Sequence, residues 1–249
     1  MKPPVTTRHS SDHGMIRLRY RKRTNTLVYE QKGGNQSAVD ERGVSLDSHA
    51  HALYGFVMQS AAKRVLMIGC GGGTLGTMLS RAGCMVSVVD IDKASFVVAK
   101  RYFGLPRDVK CHVGDGLMFM QKTRRKFDVV IVDAFVGEKI PDQFTGASFF
   151  AAAHRCLRSN GLVLMNVCLH KKSDRMSDKL AAGFKQTGLS VRLLDSPGAE
   201  RNAVVLAGNV KGLRAPRLLV EPAVDASRIS AELGEMRFRR RQAVKQERV

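Results

Sequence analysis

"VLMIGCGGGTLG", Val65 to Gly76, is the stretch whose reading decides the fold. Val65, Leu66, Met67 and Ile68 make a short unbroken apolar run, which predicts a strand buried on both faces, and Thr74 to Ala82 carries helical spacing. A glycine cluster joins the two. Gly71, Gly73 and Gly76 satisfy G-x-G-x-x-G, while Gly69, Gly71 and Gly73 satisfy G-x-G-x-G, so the stretch leaves a dinucleotide and a single nucleoside open as ligands. In either case the absent β-carbons let the backbone turn sharply and let a ligand press against it. A turn that merely joins strand to helix is the alternative.

From this corner the pattern runs outward in both directions. Downstream, the strands "MVSVVD", "VKCHV", "FDVVIVD" and "GLVLMNV" alternate with the helical segments "KASFVVAKRYF", "GLMFMQK", "ASFFAAAHRCL" and "SDRMSDKLAAGFKQT". Such alternation predicts parallel pairing through right-handed crossovers, with helices on both faces of the sheet. The last two strands, "LSVRLLD" and "NAVVLAGN", are separated only by "SPGAER", too short for a crossover helix, and are expected to be antiparallel neighbours. The expected fold is therefore α/β, a seven-stranded class I methyltransferase-like (Rossmann-like) sheet with its last strand antiparallel. Upstream, "MIRLRY", "TLVYEQ" and the turn "GGNQS" predict a small N-terminal β-domain. The domain reading is 1–14 without structure, 15–44 the small β-domain, 45–210 the nucleoside-binding domain and 211–249 a basic tail.

A chain of 249 residues accommodates one α/β domain and an appendage. Its five cysteines, Cys70, Cys84, Cys111, Cys156 and Cys168, contain no C-x-x-C pair, which argues against a disulfide framework or a zinc site and for a reducing cytoplasm. No apolar segment approaches the ~20 residues of a membrane span, and residues 1–14 lack the apolar core of a secretory signal. The formal charge of +19 points either to an anionic partner or to solvated basic faces and tails. "RFRRRQAVKQER" in the tail is the candidate contact for nucleic acid, with a solvated tail as its alternative.

In an open α/β sheet the ligand crevice lies beyond the carboxyl ends of the strands. Four features stand there: the loop Gly69, Cys70, Gly71, Gly72, Gly73; Asp90 with Ile91; Asp115 with Gly116; and Asp133. Asp90 falls at the distance from the glycine loop expected of an acid that takes a ribose diol, with Asp92 as a helix cap beside it. Asp115 is placed to accept from an exocyclic amine or to cap the following helix. Asp133 ends a strongly apolar strand and precedes the irregular "AFVGEKIPDQF", a loop of the kind that gates a site.

"VLMIGCGGGTLG", "VVDID", "GDGLMF", "YFGLP" and "FDVVIVDAF", in this order, resemble the polyamine aminopropyltransferase family, the spermidine synthase-like proteins, over roughly residues 16–210, and "DAF-x-G-E-x-I-P" resembles a divergent bacterial subgroup of it. The resemblance implies that Asp90 holds the ribose hydroxyls of S-adenosylmethionine or its decarboxylated form, that Asp115 and Gly116 contact the adenine, and that catalytic Asp133 faces the sulfonium and an acceptor amine. It implies no metal. Departures are also present. Where the family has D-S-S/T-D-P, this chain has Asp133, Ala134, Phe135, Val136 and Gly137, so the second acid is absent unless Glu138 folds back, and putrescine is expected to be a poor acceptor. The family's Y-H/Q-E signature is represented loosely by "SLDSHAHALYGF", where His49 and His51 are either site residues or surface residues of a helix. The partners expected are an amine or other small nucleophile as acceptor and an anionic partner on the tail, with a homodimer left open. The alternatives are an S-adenosylmethionine-dependent methyltransferase and a basic binding protein that has kept the fold without the reaction.

Overall fold

The Val65–Ile68 run alternates between two apolar layers, Val65 and Met67 facing one and Leu66 and Ile68 the other, which is why it carries no polar residue. The computed structural model describes residues 6–137 and 139–242. The strands β1 (Thr6–His9), β2 (Ile16–Arg21), β3 (Thr26–Gln31) and β4 (Gly34–Val39) form an antiparallel sheet in sequential order. The body follows as α1 (Ser48–Gln59), β5 (Arg64–Ile68), α2 (Thr74–Arg81), β6 (Met85–Asp90), α3 (Lys93–Tyr102), β7 (Lys110–Val113), α4 (Gly116–Lys122) and β8 (Phe127–Val132). It continues through a 3-10 turn (Asp142–Phe144), α5 (Ala147–Cys156), β9 (Leu157–Leu169), α6 (Met176–Gln186), β10 (Val191–Asp195), β11 (Arg201–Gly208), α7 (Ala226–Glu235) and β12 (Arg237–Arg239).

The large sheet has the order β12-β10-β11-β9-β8-β5-β6-β7. β9, β8, β5, β6 and β7 are parallel, and β11 runs against both β9 and β10, as the short "SPGAER" connection requires. The α/β, methyltransferase-like architecture and the reversed seventh strand agree with the sequence reading. The strand count does not: there are eight, the extra one being β12 on the edge of β10.

That strand corrects the reading of residues 211–249 as a tail. Alternation along Arg237, Phe238 and Arg239 sends Phe238 under the Arg192 guanidinium, 3.3 Å from ring centroid to Cζ, and sends Arg239 to Asp178 and Asp195. Ahead of it, α7 buries Ile229 and Leu233 in the core layer shared with α1. The tail residues 243–249 lie outside the described residues. The N-terminal expectation is corrected likewise. Residues 6–9 form β1 because the edge of β2 offers unpaired backbone groups that His9 to Thr6 satisfy against Ile16 to Arg19, while residues 1–5 lie outside the described residues.

The small sheet stacks on the large one through α3. Ile16, Leu18, Leu27 and Tyr29 pack with Val98 and Phe103, and the Tyr29 hydroxyl lies 3.0 Å from Ser95 Oγ. This contact holds the β3–β4 hairpin over the carboxyl ends of β5 and β6.

Candidate active site

β5 is followed by Gly69, whose φ is +99° and whose absent β-carbon would lie 2.1 Å from the Asp133 carbonyl oxygen, so only glycine lets the ends of β5 and β8 approach this closely. The loop Gly69 to Gly73 is then pinned from two sides. Asp90, at the end of β6, accepts the Cys70 N–H on Oδ2 at 2.6 Å and the Asp92 N–H on Oδ1 at 2.7 Å. Ser37 of the small sheet accepts the Gly72 N–H at 2.9 Å, and a β-carbon on Gly71 would meet the same hydroxyl. Burial pushes the Asp90 carboxyl up from its ordinary value, partly offset by those two N–H donors. Burial likewise raises the Cys70 thiol well above its usual range, so Cys70 is a neutral wall of the loop and not a nucleophile.

Asp92 caps α3 through the Ala94 N–H and also accepts from Ser11 and Gln31, which ties the small sheet to the rim of the cleft. Of the two roles posed for Asp115, the helix cap is the one the structure shows. Asp115 caps α4 by accepting the Met118 N–H at 2.7 Å, and its other oxygen accepts from Gln143 at 2.6 Å while lining the cleft. Gly116 gives α4 close approach to β5, since a β-carbon there would sit 2.4 Å from Ile68 Cγ2. Ile91 is 54% exposed and borders the same cleft.

Asp133 stands just beyond β8, its N–H on the Ile68 carbonyl at 2.9 Å. Its Oδ1 accepts from the Asn166 amide at 2.9 Å, and Asn166 Oδ1 accepts from the Asn202 amide at 3.0 Å. This relay crosses the adjacent strands β8, β9 and β11, and Asn166 is buried. Neither amide figured in the sequence reading, although Asn166 in "GLVLMNV" carries a visible signal, a polar residue inside an apolar strand.

Two clefts meet at Asp133. The first holds the glycine loop, Asp90, Ile91, Asp92, Asp115 and Gly116, with His13, Gln31 and Lys32 contributed by the N-terminal segment. The second is lined by Asn35, Ser37, Asp47, His49, Asn166 and Asn202. Gly69, Cys70, Gly71, Asp133, Phe135 and Gly137 border both. His49 therefore lines the second cleft, whereas His51 is a core residue, its Nε2 2.8 Å from the Ser45 carbonyl, with burial lowering its pKa. Asp47, which the sequence reading passed over, is the other carboxylate of the second cleft among the described residues; its Oδ2 accepts from the Ala38 N–H at 3.0 Å and the Ser45 hydroxyl at 3.4 Å. Glu138 lies outside the described residues.

The Asp90 assignment makes a quantitative expectation. If Asp90 holds a nucleoside's ribose as the resemblance implies, Asp90→Ala is expected to remove charge-assisted partners worth roughly 1.5 to 3 kcal/mol each and to weaken methylthioadenosine binding by ~2 to 4 kcal/mol in calorimetry. The variant's thermal midpoint separates this from collapse of the loop, and parental affinity in a folded variant removes Asp90 from the site.

Comparison with known proteins bears on the family and the fold. The spermine/spermidine synthase domain profile matches residues 48–190. The polyamine aminopropyltransferase of Vibrio vulnificus is 28% identical over 162 residues, covering 62% of this chain and 53% of that protein. The chain thus spans about half the length of that relative. Among solved structures, a probable spermidine synthase from Corynebacterium glutamicum superposes with a TM-score of 0.79 at 19% identity, over 99% of this chain and 100% of that one. Human methyltransferase-like protein 13 in complex with SAH superposes with a TM-score of 0.51 at 21% identity, over 80% and 93%. These likenesses show a shared sheet. The profile match takes in the glycine loop, Asp90, Asp115 and Asp133 together, and the chain belongs to the spermine/spermidine synthase family.

Proposed function

We propose that this protein is a transferase that holds an S-adenosylmethionine-type nucleoside in the first cleft and passes an aminopropyl group to an amine in the second. The observation that carries this reading is the meeting of the two clefts at one carboxylate, Asp133. The nucleoside's ribose lies on Asp90 and Ile91, its adenine against Asp115 and Gly116, and its sulfonium end along Gly69 to Gly73. Decarboxylated S-adenosylmethionine brings a carbon already activated by the sulfonium. The amine nitrogen attacks the methylene carbon next to sulfur, the N–C bond forms as the C–S bond breaks, the sulfur keeps the electron pair, and methylthioadenosine leaves. The acceptor attacks as the neutral amine, having given its ammonium proton to solvent, and the product leaves as the secondary ammonium.

The chain's own contribution is alignment and charge. Asp133 attracts the acceptor amine and accepts its hydrogen bond, which orients the lone pair toward the carbon, while positioning of this kind accounts for a large part of such rate gains. The acceptor class is an amine, and with no acid from Ala134 to Gly137, Asp47, already partly engaged, is the other carboxylate of the second cleft among the described residues and the one available there to a second ammonium. Putrescine is accordingly expected to turn over slowly.

A methyltransferase reading uses the same first cleft with intact S-adenosylmethionine, and the shared sheet with the human methyltransferase-like protein supports keeping it as the competing outcome. Calorimetric titration with S-adenosylmethionine, its decarboxylated form and methylthioadenosine separates the two. Aminopropyl transfer is expected to show binding of the last two and weak binding of the first. The reverse order transfers the assignment to methyl transfer, and no binding of any of the three overturns both.

A further inference from the structure

The parallel sheet segregates charge between its two edges. The carboxylates Asp90, Asp92, Asp115 and Asp133 all lie at the carboxyl ends of the strands, in the site described above. The opposite edge is cationic. β5 starts at Arg64 after Lys63, β8 starts after Arg124, Arg125 and Lys126, and Arg158 is the second residue of β9, and the pairing of Arg64 with Met85, Val65 with Val129 and Phe127 with Leu157 puts these starts on one line. Lys110 extends the line at the start of β7. All of these cations are exposed.

A groove opens on this edge between the ends of α5 and α6. It is lined by Lys126, His154, Arg155 and Arg158 with neutral hydrogen-bonding groups such as Asn160 and Asn209, and no carboxylate borders it among the described residues. Its cations are held mostly by carbonyl oxygens, which orient a charge without neutralising it. Arg155 donates to the Met120 and Gln121 carbonyls at 2.7 and 2.5 Å, and Lys126 donates to the Arg155 carbonyl. The central acid of the edge, Asp128, is consumed locally: it accepts the Lys63 and Arg64 N–H groups at 2.9 and 2.8 Å and faces Arg158 at 3.5 Å.

We propose that this edge, remote from the transferase site, is a docking surface for the sugar-phosphate backbone of a double-stranded nucleic acid. Four of the five parallel strands, all but β6, carry cations at this edge, and at ~4.8 Å spacing the line from β9 to β7 is roughly 20 Å long, enough to span several successive phosphates of a duplex. Single-strand binding through stacked bases needs exposed aromatic rings, and the large exposed hydrophobic side chains of the described chain include none. Reading of this kind recognises the backbone and not the sequence. The C-terminal basic run is the lesser candidate, because its Arg239 is committed to Asp178 and Asp195.

The test uses the full-length protein, the Arg124→Glu/Arg125→Glu variant and an Arg240→Gln/Arg241→Gln variant, with a short labelled duplex of mixed sequence titrated over a salt series. Parent and tail variant are expected to bind with affinities that fall steeply with salt. The edge variant is expected to bind about tenfold more weakly at low salt, with a salt slope lower by about 2, since each phosphate contact contributes about 0.9. Unchanged thermal midpoints and methylthioadenosine affinity show that the variants are folded, and they keep the outcome separate from the transferase reading. The proposal is overturned by a parent that does not bind duplex, by an edge variant with the parental slope, by a loss confined to the tail variant, or by phosphatidylserine vesicles binding the parent as tightly as duplex does.

Discussion

Asp133→Asn is expected to lower turnover by about 10² to 10⁴ while nucleoside affinity stays close to that of the parent. The geometry makes this substitution more than a loss of charge. Asn166 donates to Asp133 Oδ1, so an amide at position 133 must turn its oxygen toward Asn166 and its NH2 toward the second cleft, where the acceptor amine would meet a donor in place of an acceptor. The measurement is single-turnover release of methylthioadenosine with a panel of amines, paired with calorimetry on the nucleoside. Turnover at the parental rate reduces Asp133 to a strand-end residue. Ordinary enzymatic rates with putrescine in the parent show that the missing second acid is unimportant. Asp47→Asn is the informative companion, because it is expected to raise KM for a diamine with kcat little changed.

Arg239→Met is expected to cost ~3 to 5 kcal/mol of stability, the usual penalty for leaving a buried charge without its partner. The Asp178 side chain is fully buried and receives two guanidinium bonds from Arg239, 2.9 and 2.8 Å long, while a third runs to Asp195 at 2.6 Å. Burial opposes ionisation of Asp178, but the Arg239 bonds and the Gln242 N–H outweigh it and hold the carboxyl below its ordinary value. A carboxyl with a depressed folded pKa adds stability above its unfolded pKa, and that stability is lost as pH falls through the folded value. The difference between parent and variant in denaturant unfolding is therefore full at neutral pH and shrinks in acid below the usual carboxylate range. Arg239→Met combined with Asp178→Asn is expected to recover much of the loss, since removing both partners costs less than removing one. A single variant as stable as the parent at neutral pH shows that β12 does not hold the sheet edge.

Elements specified by local pattern were legible in the chain itself. The apolar run of β5, the glycine corner behind it and the beat of strand and helix to β9 depend on neighbours within a few residues, and the short link between β10 and β11 forces their antiparallel pairing. The strand-end positions of Asp90, Asp115 and Asp133 follow from the same rule, because parallel strands of one sheet share an orientation and bring their last residues to one edge. Tertiary structure alone decided what depends on partners distant in sequence. "RFRRRQ" has the composition of a solvated run, and its first three residues become a strand only because Asp178 and Asp195 wait on α6 and β10, more than forty positions away. Ser37 reaches the glycine loop, and Asn202 reaches Asp133 through Asn166, only once the small sheet is stacked on α3 and β11 is laid beside β9. The second cleft belongs to this class as well, since its walls come from the β4 hairpin, the start of α1, β9 and β11, and no spacing rule links residues that meet only after four separate packings have formed.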